Sequence, residues 1–290
     1  WIPANTSNQM QMQLTARQGT LTPASLSITF AVSAPSPDAP GIPAATLNAA
    51  SAITPQTVAP GSYVAIYGSA LAESGYGLAT TTPFTSTLDG TQVFLGGQPM
   101  PLYYASPTQI NALVPQNLPA NTVLQMVVQR GSTRSAPIPL VITPYQPGIY
   151  SRNQAGTGQG SIEISGTALL AAPASANSRP AQRGADYIAI YCTGLGPVAG
   201  ENGEAPPADG VAASYPPLYK TIAPVHVTVG GIDAPVVFAG LTPTLVGLYQ
   251  VDAQVPDGAP AGDAIPVTIA ITDPATGAVS QSNMVTIAVQ

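Results

Sequence analysis

The chain has 290 residues, 7% of them charged and 45% hydrophobic, with 28 Gly, 32 Pro and a formal net charge of −6. Charged residues make up about 25% of an ordinary globular domain, so this is the composition of a turn-rich secreted β polypeptide rather than of a cytosolic enzyme, and its many apolar runs exclude disorder. Lys220 is the only lysine, which leaves no basic stripe for nucleic acid or an anionic membrane, and no apolar run approaches the ~20 residues of a membrane-spanning helix.

Residues 1–43 stand apart. Gln9-Met10-Gln11-Met12-Gln13-Leu14 and Ser25-Leu26-Ser27-Ile28-Thr29-Phe30-Ala31-Val32 alternate polar and apolar residues, the period of two that lays one face of a strand on a core. The prolines of Ala34–Pro43 make a stiff, extended linker. Two strands ahead of such a linker bury too little surface to be stable alone. They are expected to complete a sheet elsewhere, in a neighbouring copy or back on their own chain, with Met10, Met12, Leu14, Leu26, Ile28, Phe30 and Val32 as the interface of a head-to-tail homopolymer.

The remainder reads as two β-sandwiches, residues 44–147 and 148–290, each of a size that buries its own core. In the first, strands are predicted at Tyr63–Tyr67, Gln92–Leu95, Leu102–Tyr104, Gln109–Val114, Val123–Gln129 and Ile138–Ile142, separated by Asp89-Gly90, Gly96-Gly97, Arg130-Gly131 and Pro119. The second opens with a hairpin turning near Gly166, then strands at Tyr187–Tyr191, Val225–Val229, Val236–Phe238, Leu248–Val255, Ile265–Thr272 and Val285–Val289, with Asp273–Gly277 closing the last hairpin. Strands at this spacing without helical periodicity predict an all-β fold: two tandem Ig-like sandwiches preceded by an N-terminal β arm.

The two sandwiches repeat each other. Tyr63-Val64-Ala65-Ile66-Tyr67 returns as Tyr187-Ile188-Ala189-Ile190-Tyr191, an offset of 124 residues; Val93 returns as Val227, an offset of 134; Ile110-Asn111-Ala112 returns as Val251-Asp252-Ala253, an offset of 141. Three blocks in one order mean internal duplication, the growing offset being loop insertion. The same blocks, with Asn48-Ala49-Ala50-Ser51, Ala59-Pro60-Gly61-Ser62, Pro107-Thr108-Gln109, Tyr191-Cys192-Thr193-Gly194-Leu195-Gly196-Pro197 and Val246-Gly247-Leu248-Tyr249-Gln250-Val251, resemble the Solibacter uncharacterised C-terminal domain family over residues 46–290. That resemblance implies a module at the C-terminal end of large secreted bacterial proteins, and it carries over no catalytic residue. A chain beginning at Trp1 rather than Met is expected to have lost a leader.

The chemical inventory is thin. His226, the only histidine, sits beside Thr228 on the strand face opposite Val225, Val227 and Val229; a triad recruiting Asp233 would lack a nucleophile elbow. Cys192 ends a predicted core strand, where a thiol is inert and no internal disulfide can form. Glu201, Glu204 and Asp209 share an acidic loop whose oxygens suit Ca²⁺ in kind, though their spacing is not that of a calcium loop. Tyr215 and Tyr219 are a candidate stacking platform for sugar. No catalytic residue and no cofactor are expected. The reading is a non-enzymatic, extracellular or cell-surface structural protein, a filament or surface-layer subunit assembling by donor-strand-like exchange. The rival is a polysaccharide-binding or adhesion module; a hydrolase is a distant third.

Overall fold

The computed structural model describes residues 9–16, 24–31, 38–42, 46–51, 56–73 and 75–290. Two compact units divide the chain, Trp1–Ala39 and Pro40–Gln290. In the first, Gln9–Ala16 and Ala24–Ala31 pair antiparallel with each other as a two-stranded sheet, with Met10 opposite Phe30, Met12 opposite Ile28 and Leu14 opposite Leu26. Of the expected polymer interface, Val32 and the side-chain packing of the other six residues lie outside what is described, as do linker residues 34–37 and 43.

The second unit contains no helix among its described residues. It is two Ig-like sandwiches in tandem, each of two sheets packed face to face. The first pairs a five-stranded sheet built around Tyr63–Tyr67 and Gln109–Leu113 with a six-stranded sheet built around Thr91–Leu95, Thr122–Arg130 and Ile138–Ile142. The second pairs a nine-stranded sheet, with Tyr187–Thr193 and Tyr249–Gln254 at its centre, with a five-stranded sheet around Val225–Val229 and Gly262–Thr272. Alternation drives both. In Ile138–Ile142 the three apolar positions Ile138, Leu140 and Ile142 are buried while Pro139 and Val141 are exposed, and each large aliphatic side chain so buried contributes about 1.5–3 kcal/mol. Val64, Ile66, Val93, Ile110 and Val128 meet in the first core, and Ile188, Ile190, Val227, Val251 and Ile269 in the second.

The duplication extends to hydrogen-bond register. Ile66 lies opposite Ile110, and its counterpart Ile190 opposite Val251. In the other sheets Val93 lies opposite Val128, and Val227 opposite Ile269. The sandwiches are also bonded to each other. The Tyr63 N–H donates to Thr193 Oγ1 at 2.9 Å and its hydroxyl to the Val246 carbonyl at 2.8 Å. The Phe84 N–H donates to the Gly210 carbonyl at 2.8 Å and the Gln116 N–H to an Asp209 carboxylate oxygen at 3.0 Å.

Candidate functional site: a neutral aromatic cleft between the sandwiches

On Tyr63–Tyr67 the burial of Val64 and Ile66 turns Tyr63, Ala65 and Tyr67 to the outer face of the sheet. On the neighbouring strand Ile110 and Ala112 are buried, so Gln109 and Asn111 share that outer face, Gln109 opposite Tyr67 and Asn111 opposite Ala65. The next strand slips register at Asn111/Ala112, where Asn111 faces Tyr104 and Ala112 faces Leu102, leaving Tyr103 as the extra residue of a bulge. Bulges re-aim side chains. Tyr103 packs edge-on to Tyr63, with ring centroids 6.3 Å apart, and against Phe84 at 5.6 Å.

The second sandwich supplies Tyr150, Ser151, Gln154, Leu245, Val246 and Leu248 to the lining. Together they enclose a cleft of about 440 Å³ whose lining contains five aromatic rings, three side-chain amides and no charged residue. Burial raises the Tyr63 and Tyr150 hydroxyls above the ordinary phenol range; in Tyr150 a hydrogen bond with Thr193 opposes the shift, and part of the residue remains exposed. The cleft is therefore neutral across the physiological range. Gln109 Nε2 donates to Asn111 Oδ1 at 2.9 Å, which orients both amides. Among the described residues, Asn111 Nδ2 and Gln109 Oε1 have no protein partner. Tyr67 and Tyr103 are each 40% exposed. Partly exposed aromatic rings beside an amide donor and an amide acceptor are groups that can pack on the C–H surfaces of a sugar and bond its hydroxyls.

The residues singled out from sequence are scattered. His226 is exposed on Val225–Val229, opposite Ala270. Cys192 is wholly buried in the second core, where desolvation pushes its thiol up. The calcium candidates each have a separate partner: Glu201 pairs with Lys220 at 3.0 Å, Glu204 accepts from the Asn202 backbone and side chain at 3.0 and 3.1 Å, and Asp209 is taken by Gln116. No group of three or more His, Cys, Asp or Glu side chains able to hold a metal gathers among the described residues. The stacking pair needs correction. Tyr215 is 67% exposed, but Tyr219 is 8% exposed and packs in the second core, because it opens the strand Tyr219–Thr221 on its inward side. The cleft tyrosines had a sequence signal of their own: Tyr63 and Tyr67 flank Val64 and Ile66 at positions that alternation assigns to the outer face.

Among the described residues no helix is long and apolar enough to cross a membrane. Residues 50–142, about a third of the chain, match the IPT/TIG domain, an Ig-like module. No curated protein matches the chain. Among solved structures, the chain is distantly similar to the surface glycan-binding protein SGBP-B of Bacteroides ovatus, solved with a mixed-linkage heptasaccharide, at 14% identity and TM-score 0.37, covering 98% of this chain and 56% of that one. It is similar to the glycan-binding protein PbSGBP-B of Prevotella bryantii at 11% identity and TM-score 0.26, covering 84% and 41%. Domains 4–9 of the surface layer protein SbsC match at 9% identity and TM-score 0.26, covering 96% and 35%. The chain thus spans about half the length of the first of these and less of the others, and its similarity to the IPT/TIG domain is confined to residues 50–142, in the first sandwich.

Proposed function

We propose that this chain is a non-catalytic binding module, working at the cell surface or outside the cell, that holds an uncharged polysaccharide in the cleft between its sandwiches. The observation that carries the reading is the lining itself: five aromatic rings and three amides with no Asp, Glu, His, Lys or Arg among them. Such a surface stacks on sugar rings and bonds their hydroxyls, and it holds no carboxylate pair or nucleophile and base with which to cleave them. Membership of the Solibacter C-terminal domain family, a module of secreted proteins, is part of the same proposal.

The test is affinity electrophoresis of the chain through gels containing neutral polymers (hydroxyethylcellulose, xylan, galactomannan) or acidic ones (polygalacturonate, alginate). At least one neutral polymer should retard the chain and neither acidic polymer should. Tyr67→Ala, which removes one exposed stacking ring, should weaken retention by about 1–1.5 kcal/mol, roughly tenfold. Retardation only by the acidic polymers, or by none, overturns the reading.

A second reading, a self-assembling filament subunit, is favoured by the Gln9–Ala16 and Ala24–Ala31 ribbon, which pairs with no third strand among the described residues and whose edges can extend a sheet in another copy. Deletion of residues 1–33 should abolish any fibres seen by electron microscopy of the full chain; fibres from the truncated chain would refute it.

A further inference from the structure

The cleft face of the first sandwich exists a second time. Tyr63, Ala65 and Tyr67 correspond by the duplication to Tyr187, Ala189 and Tyr191, and Gln109 and Asn111 to Gln250 and Asp252. The register is the same: Gln250 lies opposite Tyr191 and Asp252 opposite Ala189. Gln250 Nε2 donates to Asp252 Oδ1 at 2.8 Å, repeating the bond between Gln109 and Asn111. Even the bulge recurs, Val236 facing Ala253 and Phe238 facing Asp252, so that Val237 occupies the place of Tyr103. These are outward residues, which core packing does not demand, and their repetition points to repeated use.

The copy has changed its chemistry. Where the first face has Asn111 the second has Asp252, a half-buried carboxyl that desolvation holds above the usual carboxylate range while the Gln250 amide pulls it back. Glu163, on the adjacent strand opposite Ala189, accepts a hydrogen bond from the Tyr191 hydroxyl at 3.2 Å. Carboxylates beside an aromatic ring accept from pairs of sugar hydroxyls, with charge-assisted strength. Cations stand at the margins: Arg152 lines the hollow that contains Tyr191 and Glu163, and Lys220, bonded to Glu201 at 3.0 Å, lines the one beside Gln250 and Asp252. The two faces also meet. Tyr150, Ser151, Gln154 and Leu248 line both the first cleft and the hollow of about 520 Å³ that holds Tyr191 and Glu163.

We propose that the outer face of the second sandwich, centred on Tyr191, Gln250, Asp252 and Glu163, is a second subsite that grips another stretch of the same neutral glycan, a hydroxyl-rich chain running from the first cleft past Tyr150. The inference rests on the cleft reading above. Two linked subsites make binding of the second stretch intramolecular, so affinity rises with oligosaccharide length once both are reached.

Calorimetric titration of the full chain with gluco-, xylo- and manno-oligosaccharides from dimer to decamer reads this directly. For the series that binds, the longest members should bind at least about tenfold more tightly than members that fill the first cleft alone. Gln250→Ala with Asp252→Ala should collapse that ratio towards unity, whereas Tyr67→Ala with Asn111→Ala should weaken short and long oligosaccharides alike. A ratio unaffected by the Gln250/Asp252 variant, or absent in the wild type, overturns the second subsite and leaves the cleft standing. Binding unaffected by either variant, or no binding in any series, overturns both. If the Gln250/Asp252 variant does not fold, judged by its circular dichroism, Tyr187→Ala, whose residue is 40% exposed at the same face, gives the same reading.

Discussion

Asn283 is the residue whose loss should be felt most sharply. The Tyr150 N–H donates to the Tyr191 carbonyl at 3.1 Å, so its neighbour Ile149 turns its own N–H and C=O away from the Tyr187–Thr193 strand. Asn283, 2% exposed, receives both. The Ile149 N–H donates to Oδ1 at 2.7 Å, and Nδ2 donates to the Ile149 carbonyl at 2.9 Å and to the Gly156 carbonyl at 2.7 Å. One side-chain amide thus stands in for a strand that is not there. Asn283→Ala leaves a donor and two acceptors in the interior, and at about 1–2 kcal/mol for each the loss comes to about 3–6 kcal/mol. Urea unfolding followed by far-ultraviolet circular dichroism measures it. Ile149 and Gly156 bracket Tyr150, Ser151 and Gln154, so retention by the neutral polymer should weaken in the same variant. Asn283→Asp should be no better, because it sets carboxylate oxygens against two carbonyls. A loss below about 1 kcal/mol would refute the reasoning, since it would mean that the three groups find other partners.

The Cys192 thiol, wholly buried and pushed up by desolvation, should resist alkylation by iodoacetamide in the native chain and react fully in urea; rapid native labelling would contradict the packing. Arg179 grips Asp186 with Nη1 on Oδ2 at 2.6 Å and Nη2 on Oδ1 at 3.0 Å, and that pairing is the main cause of the lowered Asp186 carboxyl, burial opposing it. A carboxyl lowered by folding stabilises fully above its ordinary value of 3.8 and loses that contribution as pH falls through the folded value; Asp186→Asn should remove that acid-side slope of Tm against pH, and equal slopes would refute the assignment. Gly68→Ala would drive a methyl into the Gly41 carbonyl and to 2.9 Å from Leu71 Cδ2, so its unfolding midpoint should drop by the equivalent of about 1–3 kcal/mol; an unchanged midpoint would show that the two segments part easily.

Much of the scaffold was legible because half-buried strands write their burial as alternation. Tyr63–Tyr67, Ile138–Ile142, Val225–Val229 and Val285–Val289 begin and end where the sequence puts them. Strands ran past their predicted ends where backbone pairing outlasts the apolar run: Val236–Leu241 continues because Gly240 and Leu241 still pair with Gln250 and Tyr249, and Gly262–Thr272 starts early through a bulge. The cleft was less legible. Its walls come from residues as far apart as Ala49 and Leu248, and no local pattern says that two outer faces will meet. Tyr219 shows the converse error, since a tyrosine after Tyr215-Pro216-Pro217 reads as loop whereas hydrogen bonding of Lys220 to Gly240 makes it the buried start of a strand. Gly68 and Cys192 are equivalent in the duplication, but at Gly68 the Gly41 carbonyl lies where a Cβ would stand, whereas Cys192, opposite Ile149 and Tyr249, keeps its side chain in the second core.

Under the proposed function, the bonds that join the sandwiches bear on how fast a ligand would come and go. The Tyr63 hydroxyl on the Val246 carbonyl and the contacts of Phe84 with Gly210 and Gln116 with Asp209 fix both walls of the cleft before any sugar arrives, so there is no jaw to close. On that reading a polymer would be captured at a rate set by diffusion and alignment rather than by a slow conformational step. Its residence time then depends on how many sugar units are seated at once. With the two subsites proposed above, a glycan held at two places would release one while the other keeps hold, and the module would creep along the polymer without leaving it.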